Sequence, residues 1–189
     1  MSRKERRKLA KMAAKGGTAG QSAVFPATAT ALERQFNDSV AHFQAGRLKE
    51  AEAELSEIQR RQPDLPEVLH LMALIELQTG RPEAAAGHLE KAVARQPESA
   101  DLHNLLGGAL KRAGRLEEAV LAYDKAVSLG PELAEAHYNL GNALKELQRF
   151  DDAVPSYRRS VELEPGFADA HYNLGLVLMA AGRPDEAAR

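Results

Sequence analysis

One feature governs how this chain can fold: a period of 34 residues. Ala51, Ala85, Ala119, Ala153 and Ala187 are each 34 residues apart, and so are Pro63, Pro97, Pro131 and Pro165. Gly46, Gly80 and Gly114 keep the same phase, Gln148 takes the next place, and Gly182 restores the glycine. An arginine follows each of these five positions, as Arg47, Arg81, Arg115, Arg149 and Arg183. A unit of this length is one supersecondary element that buries its apolar side only against its neighbours. The copies run 32–65, 66–99, 100–133 and 134–167, with a partial copy at 168–189.

Each copy reads as two helices. In 134–147, Ala136, Leu140, Ala143, Leu144 and Leu147 recur at steps of three and four, which is one face of a helix. A Gly-Arg or Gln-Arg break follows. Ala153, Val154, Tyr157, Val161 and Leu163 mark a second helix, and Pro165 ends it because proline cannot extend one. Pro82 and Pro184 fall at the first position of a second helix, where a missing N–H costs nothing. Gly107, Gly141 and Gly175 are expected to face Ala119, Ala153 and Ala187, letting the two helices approach toward the lower end of the ~8–10 Å packing range. Pro155 falls inside a second helix, so a lost hydrogen bond and a kink are expected there. In 32–65, Phe36, Val40 and Phe43 form a stripe one residue out of phase with the other copies. That predicts either a rotated first helix or a shorter loop.

Aromatic residues make up only 5% of the chain and tryptophan is absent, so the core is built from Ala, Leu and Val. With no cysteine there are no disulfides, thiolate metal sites or cysteine nucleophiles. No apolar run reaches the roughly 18 residues of a membrane span. Lys11 and Lys15 interrupt the apolar stretch that a secretory signal needs, and the chain is read as cytoplasmic.

The net charge of −2 is unevenly spread. Residues 1–15 hold seven cations against Glu5, a net of +6, which leaves −8 for the rest. This basic tail is a candidate for nucleic acid or an anionic surface, although Leu9, Met12 and Ala13 give it only a thin apolar face. It is expected to be solvated. Residues 16–31, rich in Gly, Ala and Thr, read as a flexible linker, with Val24 and Phe25 placed to tuck against the apolar second repeat.

In 134–167 the large, small and aromatic positions are His137, Leu140, Gly141, Leu144, Ala153, Tyr157, Ser160 and Pro165. In 100–133 they are His103, Leu106, Gly107, Leu110, Ala119, Tyr123, Ala126 and Pro131. With these residues the region 32–189 resembles the tetratricopeptide repeat (TPR) family. The resemblance implies an all-α fold, a right-handed α-solenoid of helix-turn-helix repeats whose first helices line a concave groove.

Nothing in the chain points to catalysis. No phosphate-binding glycine loop, His-Glu-x-x-His pair or Gly-x-Ser-x-Gly turn is present. No catalytic residue, metal site or cofactor is therefore assigned, and the chain is read as a non-enzyme. His103, His137 and His171 occupy one position in three successive repeats. At roughly 10 Å per repeat they cannot share an ion whose ligands lie about 2 Å away. They are assigned to packing. The acidic pairs Glu117–Glu118 and Asp151–Asp152 begin second helices, where they favour the dipole.

Binding is the expected function. The resemblance places the second, fifth, sixth, ninth, twelfth and thirteenth residues of each repeat in the groove. In the second repeat these include Leu71, Leu74 and Leu77, an apolar stretch. In the later repeats they supply Asn104, Lys111, Arg112, Tyr138, Asn139, Asn142, Lys145, Tyr172 and Asn173. Asparagine both donates and accepts, so it can pair with the backbone of an extended peptide. Tyrosine adds contact area at little entropic cost, and the cations favour an acidic stretch. The expected function is a protein–protein interaction scaffold holding a peptide or partner protein.

The carboxylate clamp of chaperone-binding TPR domains is excluded, because Tyr138 stands where its lysine should be. The alternative is the substrate-recognition arm of a longer transferase resembling the O-linked N-acetylglucosamine transferases. Asn139 and Asn173, with Asn37, partly match that group's asparagine ladder, and similar basic starts occur in bacterial TPR proteins that continue into transferase domains. The sequence stops one turn into a second helix, which suggests the front portion of a longer protein. Leu174, Val177 and Leu178 are then expected to lack cover, with self-association possible.

Overall fold

The structure, a computed structural model, describes residues 29–187. Among them are ten α-helices and no strand: α1 (Ala29–Gln44), α2 (Leu48–Arg61), α3 (Pro66–Gln78), α4 (Pro82–Arg95), α5 (Ala100–Arg112), α6 (Leu116–Leu129), α7 (Ala134–Glu146), α8 (Phe150–Leu163), α9 (Ala168–Ala180) and α10 (Pro184–Ala187). The fold class is all-α, built of helix-turn-helix repeats. The basic tail, with Val24 and Phe25, lies outside the described residues. Helix α1 already begins at Ala29, so the last three residues of the segment read as linker are helical.

The recurring glycine is explained by backbone geometry. Gly46, Gly80, Gly114 and Gly182 have φ between 73° and 81°, the left-handed region that closes the first helix of a pair. The arginine N–H that follows each one donates five residues back, for example from Arg115 to Leu110 O at 2.9 Å. Gln148 takes the same conformation at φ 59°, at a cost of roughly 1–2 kcal/mol for a side-chain-bearing residue. Arg115, Arg149 and Arg183 then hold the start of the next helix through the acid three residues on, Glu118, Asp152 and Glu186. Arg115 meets Glu118 through two nitrogens at 2.7 Å, and this bond holds the Glu118 carboxyl below its usual range.

The described residues form two compact units, one ending at Gln96 and one beginning at Pro97. In the first, α1 packs on α2, α2 on α3, and α3 on α4. Helix α1 turns Leu32, Ser39 and Phe43 inward. Its last residue, Gln44, and the turn glycine Gly46 keep phase with the other repeats. The loop therefore has ordinary length, and the helix is rotated instead. Ser39 occupies the place of Gly107 and Gly141; its hydroxyl donates to Gln35 O at 2.8 Å and meets Glu54 Oε2 at 3.1 Å.

Helix α3 is apolar on almost every side. Leu71, Leu74 and Leu77, expected to line an open groove, are buried at 3%, 1% and 9% exposure. Position in the repeat does not leave them open, because such a stripe is stable only when covered. One charged group is buried with them: the Glu76 carboxylate, which meets His88 Nδ1 at 2.8 Å.

In the second unit α5 pairs with α6, α6 with α7, α7 with α8, and α8 with α9. A Cβ added to Gly107 would come within 2.7 Å of the Tyr123 ring, and one added to Gly141 within 2.8 Å of the Tyr157 ring. The glycine thus makes room for the aromatic of its own pair. At Gly175 nothing lies within 4 Å.

Opposite outcomes follow for one substitution. Gly141→Ala is expected to destabilise, since overpacking costs about 1–3 kcal/mol and better helix propensity returns at most ~1. Gly175→Ala is expected to stabilise by roughly 0.4–1 kcal/mol. Denaturant midpoints of the two variants check this.

Helix α8 runs from Phe150 to Leu163 through Pro155, which lies on its exposed side and, having no N–H, leaves one carbonyl of the ladder without its donor. One further expectation changes. Val177 and Leu178 are buried at 1% and 2% exposure, and Leu174 is half-buried. The exposed apolar residues of α9 are instead Tyr172, Leu176 and Met179.

Candidate functional site

The nine residues proposed for binding lie on α5, α7 and α9, the first helices of the second unit. Most are joined to one another across repeats. Asn139 on α7 donates Nδ2 to Asn104 Oδ1 on α5 at 3.0 Å. Asn173 on α9 donates Nδ2 to the Tyr138 hydroxyl at 3.2 Å and accepts from Lys145 Nζ at 2.8 Å, both on α7. Lys111 on α5 pairs with Glu146 on α7. Asn142 Oδ1 accepts from the Tyr157 hydroxyl at 2.7 Å and lies 3.5 Å from Asn173 Nδ2.

These contacts alter the chemistry on offer. Asn104 and Asn173 are buried at 7% and 8% exposure. Lys111 already has a carboxylate, whereas Lys145 is held by a neutral amide oxygen and keeps its charge. Arg112 is exposed. Tyr172 is the most open of the nine at 68%.

The aromatic residues form one layer beneath this face. Tyr138 lies against Phe167 with ring centroids 4.6 Å apart and meets the edge of Tyr157 at 6.0 Å. Burial, followed by Tyr138 and Glu146, drives the Tyr157 hydroxyl well above the usual tyrosine range. Burial does the same to Tyr123.

The part played by Tyr157 and Phe167 did not emerge from the periodic pattern. A signal was present, however. Asn104 to Asn139, Tyr138 to Asn173 and Lys111 to Glu146 each span 35 residues, one repeat plus one.

The three repeated histidines have one shared role. His103, His137 and His171 direct Nε2 to the carbonyl oxygens of Pro97, Pro131 and Pro165, at 2.9, 3.1 and 2.9 Å. Each ties the start of a first helix to the loop before it. They are half-exposed to exposed, so the packing slot assigned to them is a hydrogen-bonding one. Among the described residues no three His, Asp or Glu side chains cluster as metal ligands would. No described helix is long and apolar enough to cross a membrane.

Comparison with known proteins agrees with this architecture. A family model described as tetratricopeptide repeat matches residues 70–134 and 138–189. No curated protein matches the sequence. Among solved structures, a crystal structure of MamA is similar at 25% identity and a TM-score of 0.76, covering 79% of this chain and 88% of that one. A second MamA crystal structure reaches a TM-score of 0.79 at 24% identity, covering 83% and 86%. YrrB, described as a TPR protein with an unusual peptide-binding site, has a TM-score of 0.74 at 22% identity, covering 86% and 87%.

Proposed function

The chain belongs to the tetratricopeptide repeat family, and from that premise we propose that it is a protein-interaction scaffold holding an extended peptide across α5, α7 and α9. The observation that carries the reading is the hydrogen-bonded lattice on these three helices. Asn139 is held by Asn104, and Asn173 by Tyr138 and Lys145, before any ligand arrives. A surface fixed in advance spares the entropy of ordering side chains on binding. The bond between Asn104 and Asn139 uses one end of each amide. The opposite ends, Asn104 Nδ2 and Asn139 Oδ1, are those that a peptide N–H or C=O can meet. With Lys111 paired to Glu146 and Lys145 held by a neutral amide that leaves its charge intact, the favoured ligand is a polar segment with an acidic residue for Lys145 and an apolar one for Tyr172. Peptide binding is also ascribed to YrrB, whose fold this chain shares.

The alternative, a substrate-selecting arm of a longer glycosyltransferase, calls for a ladder of sixth-position asparagines turned to the ligand. Leu71 and Leu105 stand at the sixth position of the second and third repeats and interrupt such a ladder, which favours the scaffold.

The test is selection of peptides from a random display library on the full chain, followed by anisotropy titration. Asn139→Ala is expected to weaken the selected peptides at least tenfold, about 1.4 kcal/mol. Thermal unfolding of the same variant monitors the lost tie to Asn104. Unchanged affinity, or no selected peptide, would sink the reading.

A further inference from the structure

Tyr123 and Tyr157 hold the same position in successive repeats, yet their hydroxyls are served differently. Tyr157 donates to Asn142 Oδ1 at 2.7 Å. One repeat earlier, Gly108 stands in the place of Asn142. A Cβ placed on Gly108 would meet only the Tyr123 hydroxyl, 3.6 Å away. No hydrogen bond joins that hydroxyl to any described residue. A buried tyrosine hydroxyl ordinarily has a partner. Tyr123 is 2% exposed, but its oxygen is not sealed from the surface as the Ser160 hydroxyl is. The corresponding pair in the second repeat, Leu74 and Leu89, is buried and wholly apolar.

The gap over Gly108 has walls. Asn104 lies four residues before it and Lys111 three after, so all three share one face of α5. Asn104 is tied to Asn139 and Lys111 to Glu146, both on α7. Two side-chain bridges thus flank a bare Cα, with a hydroxyl beneath it.

The next repeat shows what fills such a gap: a carboxamide, its oxygen accepting from the tyrosine. A carboxylate suits the place less well, because Glu146 and Glu135 already act on the Tyr123 hydroxyl as negative charges. An apolar group would strip water from the hydroxyl and return no bond. A side chain passes between the two bridges more readily than a main chain does.

We propose that Gly108 and Tyr123 form a subsite for the side-chain carboxamide of an asparagine or glutamine in the bound segment, its oxygen accepting from the Tyr123 hydroxyl. The inference rests on the scaffold reading and specifies one residue of the ligand.

Peptides selected on the full chain supply the test. They are expected to share an asparagine or glutamine at one aligned position, and replacing it by alanine should weaken binding to wild type about tenfold. Two variants of the protein should bind the parent and alanine-substituted peptides within about twofold of each other. Tyr123→Phe keeps the ring and removes the donor. Gly108→Asn has room for its side chain and fills the gap with a carboxamide of its own. Thermal unfolding checks that both are folded, and Tyr123→Phe decides alone should Gly108→Asn not fold. An undiminished preference in a folded variant overturns the proposal, as does a selected set with no shared carboxamide. In either case, weakening of the peptides by Asn139→Ala leaves the scaffold reading standing. Failure to select any peptide overturns both.

Discussion

Tyr157→Ala is expected to be among the most damaging single substitutions in the second unit, costing about 3–5 kcal/mol as large aromatic-to-alanine changes in cores do. The ring is fully buried, fills the space left by Gly141, meets the edge of Tyr138 and donates its hydroxyl to Asn142. The substitution therefore opens a cavity under the candidate site and releases one of its amides. Tyr157→Phe keeps the volume and loses only the hydrogen bond, at roughly 1 kcal/mol. Comparing the two by denaturant unfolding separates packing from hydrogen bonding; equal losses would contradict the cavity argument.

The same residue sets an alkaline limit. Burial favours the neutral hydroxyl in the folded state, so the folded pKa lies above the unfolded value. The resulting stability is fully present below about pH 10 and is lost as pH rises beyond it. Tyr157→Phe should flatten that decline, leaving the share contributed by Tyr123.

His88→Ala should be the corresponding lesion in the first unit. Glu76 lies at 4% exposure in the apolar helix α3 and meets His88 at 2.8 Å. Truncating one partner of such a buried pair costs on the order of 3–5 kcal/mol, because the other is left without compensation. Arg81 also acts electrostatically with Glu76, which places the expectation near the lower end. Replacing both residues, Glu76→Leu with His88→Leu, should be far milder than His88→Ala, since no carboxylate remains to be buried. A thermal melt of the single and double variants decides; a double variant as unstable as the single one would show that shape, not charge, governs the site.

What could be read in the sequence follows from how repeat proteins are built. The 34-residue period, the turn glycines and the proline stops act within one repeat, so they show in a single pass. The contacts of Gly107 and Gly141 with the tyrosine rings were not legible in the period for a physical reason. Removing a Cβ opens space in the direction of the largest nearby group, which is the ring of Tyr123 or Tyr157. The groove positions named the face, but not what its side chains do. Asn139 and Asn173 bond to residues 35 positions earlier, a relation that only the stacking of repeats creates. Helix α1 shows the reverse case: its stripe, one residue out of phase, left a shorter loop open, and the in-phase Gly46 shows the loop to have ordinary length.

The three histidine ties have a chemical consequence. A carbonyl oxygen only accepts, so the Nε2 of His103, His137 and His171 must carry the hydrogen. That donor survives when Nδ1 takes up a second proton. The loops between these repeats are therefore latched by a group whose donor outlasts a change in its own charge.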